Sequence, residues 1–233
     1  MSNKKNLNLA NSIFEGFNDR NGLMICGYEW GESDETSTEP FDNNEPNECT
    51  FSNKVPRYGD VANKWKYDLM IRNWFDIWGH SLDREGNGGD FDKSILQTNW
   101  ALGSRKKSAG INYYLSDENI NNFITHVEIL QPTLILFMGS QLLTRVLRNW
   151  KARDQFVPIM GDEIAPRETI RMDGYSGALA YLSKYEKCTV IGLPHPSGAR
   201  GITNEYITYI GKYMTPILNE FKRSNQLKWN ANK

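Results

Sequence analysis

Four short apolar runs, each closing on a small or polar residue, decide most of what this chain can become. They lie at 23–27, 94–98, 133–139 and 189–193. Each is too short for a buried helix, and Gly, Pro, Ser or Asn lies close by, so each reads as a core strand. The stretches between them carry a helical period instead. From Asp60 to Gly79 the pattern Val61, Trp65, Leu69, Ile71, Trp74, Phe75, Trp78 fits a helix with an aromatic inner face. A second helix is expected over 116–130, with Ser116 as its N-cap and Pro132 as its stop. A third runs from Ser140 to Trp150. A fourth runs from Asn204 to Arg223, with Tyr206, Ile207, Ile210, Met214, Ile217 and Phe221 inward and a kink near Pro216. Strands that alternate with helices predict an α/β fold: a central four-stranded, largely parallel sheet flanked by helices on both faces.

Other segments constrain less. Residues 1–12 are polar and read as a tail or a weak first helix, and 176–185 reads as a short helix. Residues 152–173 show no clear period. Residues 32–54 are acidic and Pro-containing, a long inserted loop suited to a lid or a recognition element. At 233 residues the chain is expected to form one domain, 1–233.

Lys and Arg together number 27 against 28 Asp and Glu, a net charge of −1. That excludes holding nucleic acid by bulk charge and leaves room for a local basic face. Cys26, Cys49 and Cys188 lie far apart without C-x-x-C spacing, so no zinc site, iron–sulfur cluster or disulfide framework is expected. The polar start and the lack of a long apolar run predict a cytoplasmic monomer with no membrane contact, metal or cofactor.

Three of the expected strands end in a residue able to enter a shared cleft: Glu29, Asn99 and His195. In open α/β sheets ligands bind at the carboxyl ends of the strands. A carboxylate, an amide and an imidazole meeting there would form a small reactive site. His195 stands between Pro194 and Pro196, and the small-residue loop 197–201 that follows can approach a ligand closely.

These residues carry a resemblance. GYEWG at 27–31, ILQTNW at 95–100, PTLILFMGS at 132–140 and HPSGARG at 195–201 resemble the motif series of the uracil-DNA glycosylase superfamily, in the same order and spanning most of the chain. HPS followed by small residues and an Arg is the most specific of them. The resemblance implies an enzyme that extrudes a base from DNA and hydrolyses its glycosidic bond. Glu29 then stands where the family places the Asp or Asn that positions the water, one methylene longer. His195 matches the histidine that hydrogen-bonds a carbonyl oxygen of the departing base. Asn99 matches the reader of the base edge, and its amide suits either uracil or cytosine according to its orientation. Tyr58, with Phe51 as competitor, corresponds to the aromatic platform, and Tyr28 and Trp30 belong to the base-binding turn. Ser197, Gly198 and Arg200 would hold the DNA backbone or the gap left by the base, with Arg105, Lys106 and Lys107 as a basic patch.

Gly31 stands where uracil-specific members carry a tyrosine that blocks C5. The single-strand-selective class is similar to this chain in leaving that edge open. The resemblance therefore points to a monofunctional glycosylase for a 5-substituted uracil or cytosine, including glucosylated 5-hydroxymethylcytosine of phage DNA as an antiphage defence. Uracil repair, or a catalytically inactive nucleic-acid-binding protein on the same fold, are the alternatives. No lysine occupies a motif position, so no Schiff-base lyase step is expected. No G-x-S-x-G elbow supports an unrelated α/β hydrolase.

Overall fold

The computed structural model describes residues 7–31, 48–86, 88–105, 109–197 and 201–231, the side chains of 104, 105 and 227–231 excepted. In chain order the elements are β1 (Leu23–Gly27), β2 (Trp30–Gly31), α1 (Val55–Tyr58), a 3-10 turn over Asp60–Lys64, α2 (Lys66–Ile77), α3 (Asp90–Lys93), β3 (Ile95–Asn99), β4 (Ser104–Arg105), α4 (Ile111–Tyr114) and α5 (Asp117–Leu130). After these come β5 (Leu134–Met138), a π-helical stretch over Leu142–Leu147, α6 (Trp150–Met160), β6 (Glu168–Ile170), β7 (Ala180–Lys184), β8 (Thr189–Leu193) and α7 (Asn204–Ala231).

The main sheet has six strands in the order β3-β1-β5-β8-β7-β6. Its first four are mutually parallel, and β7 and β6 continue it by antiparallel pairing. The expected four-stranded sheet is thus its parallel part. The two extra strands escape a pattern reading for a physical reason: β6 is a three-residue edge strand, and β7 mixes buried, half-buried and exposed positions with no clean alternation. The expected short helix over 176–185 is corrected to β7. Residues 152–173 resolve into α6 and β6.

Alternation along the strands sorts the core into two layers. Met24, Cys26, Ile135, Phe137 and Val190 face α5, the π-helical stretch and α6. Leu23, Ile25, Leu136, Met138, Ile191 and Leu193 face α2 and α7. Within α2, Ile71, Trp74 and Phe75 are buried, whereas Leu69 and the preceding Val61 are exposed, so the aromatic inner face is narrower than its period suggests. Ser116 caps α5 by accepting from the Asn119 N–H at 3.4 Å. The helix expected from Ser140 to Trp150 is instead the π-helical stretch followed by a separately capped α6, where the Asn149 side chain accepts from the Lys151 N–H.

Residues 7–12 form no helix. They lie along β3, with the Ala10 N–H donating to the Gln97 carbonyl at 2.9 Å and the Asn11 amide bonded to both Ile95 and Gln97. This covers an edge that would otherwise expose unpaired backbone groups. The part of the expected 32–54 loop that is described is buried from Cys49 to Lys54, so it belongs to the core; residues 32–47 lie outside the described residues. No helix among the described residues is long and apolar enough to cross a membrane.

Candidate functional site

Because β3, β1, β5 and β8 are parallel and adjacent, their carboxyl ends share one edge. The β1–β3 ladder continues beyond both strands: the Trp100 N–H donates to the Gly27 carbonyl and the Ala101 N–H to the Tyr28 carbonyl, each at 2.9 Å. Asn122 of α5 donates from its amide to the carbonyls of Asn99 and Trp100 at 3.0 and 2.9 Å. The Trp100 indole donates to the Tyr114 carbonyl at 2.8 Å, which docks α4 against the same edge. These bonds fix the turn carrying Tyr28 and Glu29 beside the one that carries Asn99.

Glu29 is half-buried. Its Oε1 accepts from the Tyr114 hydroxyl at 3.2 Å and from the Ala109 N–H at 3.3 Å. Its Oε2 is closed off from solvent and has no hydrogen-bond partner among the described residues. A buried carboxylate oxygen left unpaired is costly in a folded chain and calls for a ligand, water or proton.

Asn99 is buried, and none of the hydrogen bonds among the described residues reaches its side chain. Its carboxamide lies against Gly27, where an added Cβ would run into Oδ1 and stand 2.9 Å from the Tyr67 hydroxyl. The Tyr67 ring is 5.7 Å from that of His195, tilted by 53°. His195 also stacks with Tyr28 at 5.8 Å and 30°. Tyr28 in turn packs at 5.1 Å on Tyr114, the residue that holds Glu29. A run of aromatic contacts therefore links the amide, the imidazole and the carboxylate along one sheet edge.

Burial pushes the His195 imidazole below its usual value, so the ring is neutral at pH 7. The Ser197 hydroxyl lies 3.4 Å from Nδ1. With that hydroxyl as donor, the ring's proton sits on Nε2. Burial drives the Tyr28 hydroxyl up to about 12, against the opposing pull of a backbone bond from Gln141 and the charge of Arg145.

The other expected site residues are placed as follows. Phe51 is buried in the α2/α7 layer, with the Lys54 ammonium 5.1 Å from its ring centre. Tyr58 packs edge-on against Trp65 at 5.0 Å and donates to the Ala10 carbonyl at 3.3 Å. Neither ring contacts His195. Trp30 is half-buried and pairs with Ser104, and Gly31 pairs with Arg105. Among the described residues other than its chain neighbours, no atom stands within 4 Å of the place a Cβ would take on Gly31. Ser197 is exposed. The Arg105 side chain, Lys106, Lys107, Gly198 and Arg200 lie outside the described residues.

Tyr67 and Tyr114 are site residues that the sequence reading missed. Tyr67 counts as one more aromatic in a helical stretch, and nothing in its spacing announces that it points at Gly27. A groove of about 870 Å³ lies at the opposite edge, between α7 and the amino ends of β5 and β8, lined by Leu134, Leu182, Thr189, Ile217 and Phe221. The orphaned polar atoms of Glu29 and Tyr67 are at the carboxyl edge, and for that reason the candidate site is placed there. No group of three or more His, Cys, Asp or Glu among the described residues could hold a metal ion. No protein-family model matches the chain, and no curated protein matches it.

Proposed function

We propose that this chain is a monofunctional DNA glycosylase, a divergent relative of the uracil-DNA glycosylase superfamily, acting on a 5-substituted pyrimidine. The observation that carries the reading is the gathering of Glu29, Asn99 and His195 at one carboxyl edge, with one Glu29 oxygen buried and unpaired. Hydrolysis of a glycosidic bond needs a water directed at C1′, a carboxylate to take its proton, and a donor where charge develops on the departing base. Glu29 Oε2, unpaired among the described residues, can accept a hydrogen bond from the water. Tyr114 and Ala109 hold the other oxygen and fix the carboxylate's direction. His195, neutral and carrying its proton on Nε2 when the Ser197 hydroxyl donates to Nδ1, offers its N–H to the base oxygen and gains strength as the bond breaks. Asn99 supplies a donor and an acceptor to the base edge.

Gly31 carries no side chain and none of the described residues fills the place of one, which suits a substituent at C5 and so the excision of a modified base from foreign DNA. A second reading, a base-binding protein without catalysis, draws on Glu29 Oε1 being already engaged by Tyr114 and Ala109.

Duplexes carrying uracil, 5-hydroxymethyluracil, 5-hydroxymethylcytosine or its glucosylated form distinguish these readings through the formation of alkali-labile abasic sites. Cleavage that falls by about a hundredfold or more in Glu29→Gln and in His195→Ala is expected, on the scale of losing a general base or an oxyanion donor. Binding without cleavage of any duplex would favour the second reading.

A further inference from the structure

The Tyr67 hydroxyl is closed off from solvent, and among the described residues nothing hydrogen-bonds to it. Leaving a buried hydroxyl unpaired is costly to a folded chain, so such a group asks what it is kept for. Its position answers. The hydroxyl and Asn99 Oδ1 border the same space over Gly27, and the Tyr67 ring lies 5.7 Å from that of His195. Tyr67 thus neighbours both the amide, through its hydroxyl, and the imidazole, through its ring. Burial, then the charge of Asp68 and the Cys26 thiol, hold its proton firmly, so it stays a donor throughout the physiological range.

Resting on the glycosylase reading above, we infer that Tyr67 donates a hydrogen bond to the oxygen at C2 of the extruded pyrimidine, beside His195, and stabilises the base as it departs. A pyrimidine edge presents its 4-substituent, N3 and O2 in sequence. An amide spans two neighbouring positions, so Asn99 takes the 4-substituent and N3. A hydroxyl beside Asn99, on a residue whose ring also neighbours His195, then meets O2. In the reaction the C1′–N1 bond breaks and its electron pair leaves with the base, where the charge spreads onto O2. Water forms the new C1′–O bond and gives its proton to Glu29. The Tyr67 proton is not transferred; its hydrogen bond shortens as the charge on O2 grows, which is stabilisation specific to the transition state.

Tyr67→Phe tests this, because it removes one oxygen and keeps the ring against His195. Duplexes carrying 5-hydroxymethyluracil, 5-hydroxymethylcytosine or 5-fluorouracil are cleaved under single-turnover conditions, and thermal unfolding is followed alongside. The melting temperature is expected to hold or rise, since the deleted hydroxyl has no partner to lose. The cleavage rate is expected to fall about ten- to a hundredfold while duplex affinity changes less than twofold, a donor shared with His195 being worth somewhat less than a sole one. The loss should be smallest for 5-fluorouracil, whose anion needs the least help. An unchanged rate overturns the inference, as does a lower melting temperature with equal rate losses on every base, which would make the hydroxyl structural. Wild-type protein that cleaves none of the three, nor uracil or glucosylated 5-hydroxymethylcytosine, overturns the glycosylase reading itself. Wild-type cleavage matched by Tyr67→Phe overturns the Tyr67 role alone.

Discussion

At the candidate site two glycines matter for the side chain they lack. Gly139 has a φ of +155°, and a Cβ there would enter the Tyr28 ring, so glycine lets that ring close over the end of β5. At Gly27 the missing Cβ leaves the room that Asn99 occupies and Tyr67 borders. Gly27→Ala would force the Asn99 carboxamide aside in a packed region, a change that typically costs about 1–3 kcal/mol. The expected result is a lower urea midpoint together with loss of base cleavage. Retention of both would show that Asn99 is free to move. Gly31→Tyr is the contrasting substitution: none of the described residues fills the space there, so the midpoint should stay where it is. On the glycosylase reading, cleavage of a 5-substituted base should then fall at least tenfold while plain uracil is spared, as measured by parallel time courses. Equal losses on both bases would count against a C5 pocket at Gly31. Glu29, Asn99 and His195 were legible because each ends an apolar run, where position along the chain fixes position in the sheet. Tyr67 was not, because a helical period says which side of α2 meets the core and nothing about what lies across from a given ring.

Among the elements, the segment 49–54 is held to the sheet by a buried charge. Lys54 Nζ bonds Asp68 Oδ2 of α2 at 2.6 Å and also contacts Gln97 of β3, with both members of the ion pair almost wholly enclosed. Its ammonium also lies over the rings of Phe51 and Trp65 at 5.1 and 5.5 Å. Asp68 is the neighbour of Tyr67 in the chain, so this cluster anchors the start of α2 under the candidate site. Lys54→Met removes one partner and strands a buried carboxylate, at a cost of about 3–5 kcal/mol. Adding Asp68→Leu removes the stranded charge and should restore most of that loss, read from chemical denaturation of the single and double variants. A double variant as unstable as the single one would mean that the segment needs the lysine's reach rather than its charge. Nothing in the sequence shows this pair: Lys54 reads as a loop residue and Asp68 as part of a solvated helix face. The four parallel strands, by contrast, were plain as apolar runs because both of their faces are covered. The antiparallel strands β6 and β7 were hidden, since a three-residue edge strand and a neighbour of mixed polarity resemble a loop or a short helix.

Across the whole molecule the three histidines act in one direction on acid stability. His126 is enclosed between β3 and α5, where its Nδ1 meets the Asn122 carbonyl at 2.6 Å and its Nε2 lies 3.1 Å from Thr98 Oγ1. Burial pushes it below the ordinary value of 6.5, outweighing the carbonyls of Asn122 and Asn8 that favour the charged form. His80 is lowered by burial and then by the charge of Lys222, and His195 by burial. Above pH 6.5 all three are neutral whether the chain is folded or not, so they do not affect the balance. As pH falls through 6.5 the unfolded chain takes up protons that the folded one refuses, and stability drops with a slope of up to three protons. The decline ends only below the folded values, where the native state binds those protons too. Asp92 opposes it nearer the acid end, because burial raises its carboxyl above the usual 3.8 and the folded chain therefore gains a proton first. Melting temperatures measured from pH 8 to pH 5 should hold level and then fall below about 6.5. His126→Gln should remove about one proton from the fitted slope, since a glutamine cannot titrate. A melting temperature that stays level from pH 7 to pH 5 would mean that the folded chain accepts those protons at no penalty. Burial would then be failing to keep His195 neutral, and the proposed donor at the departing base would be an imidazolium instead.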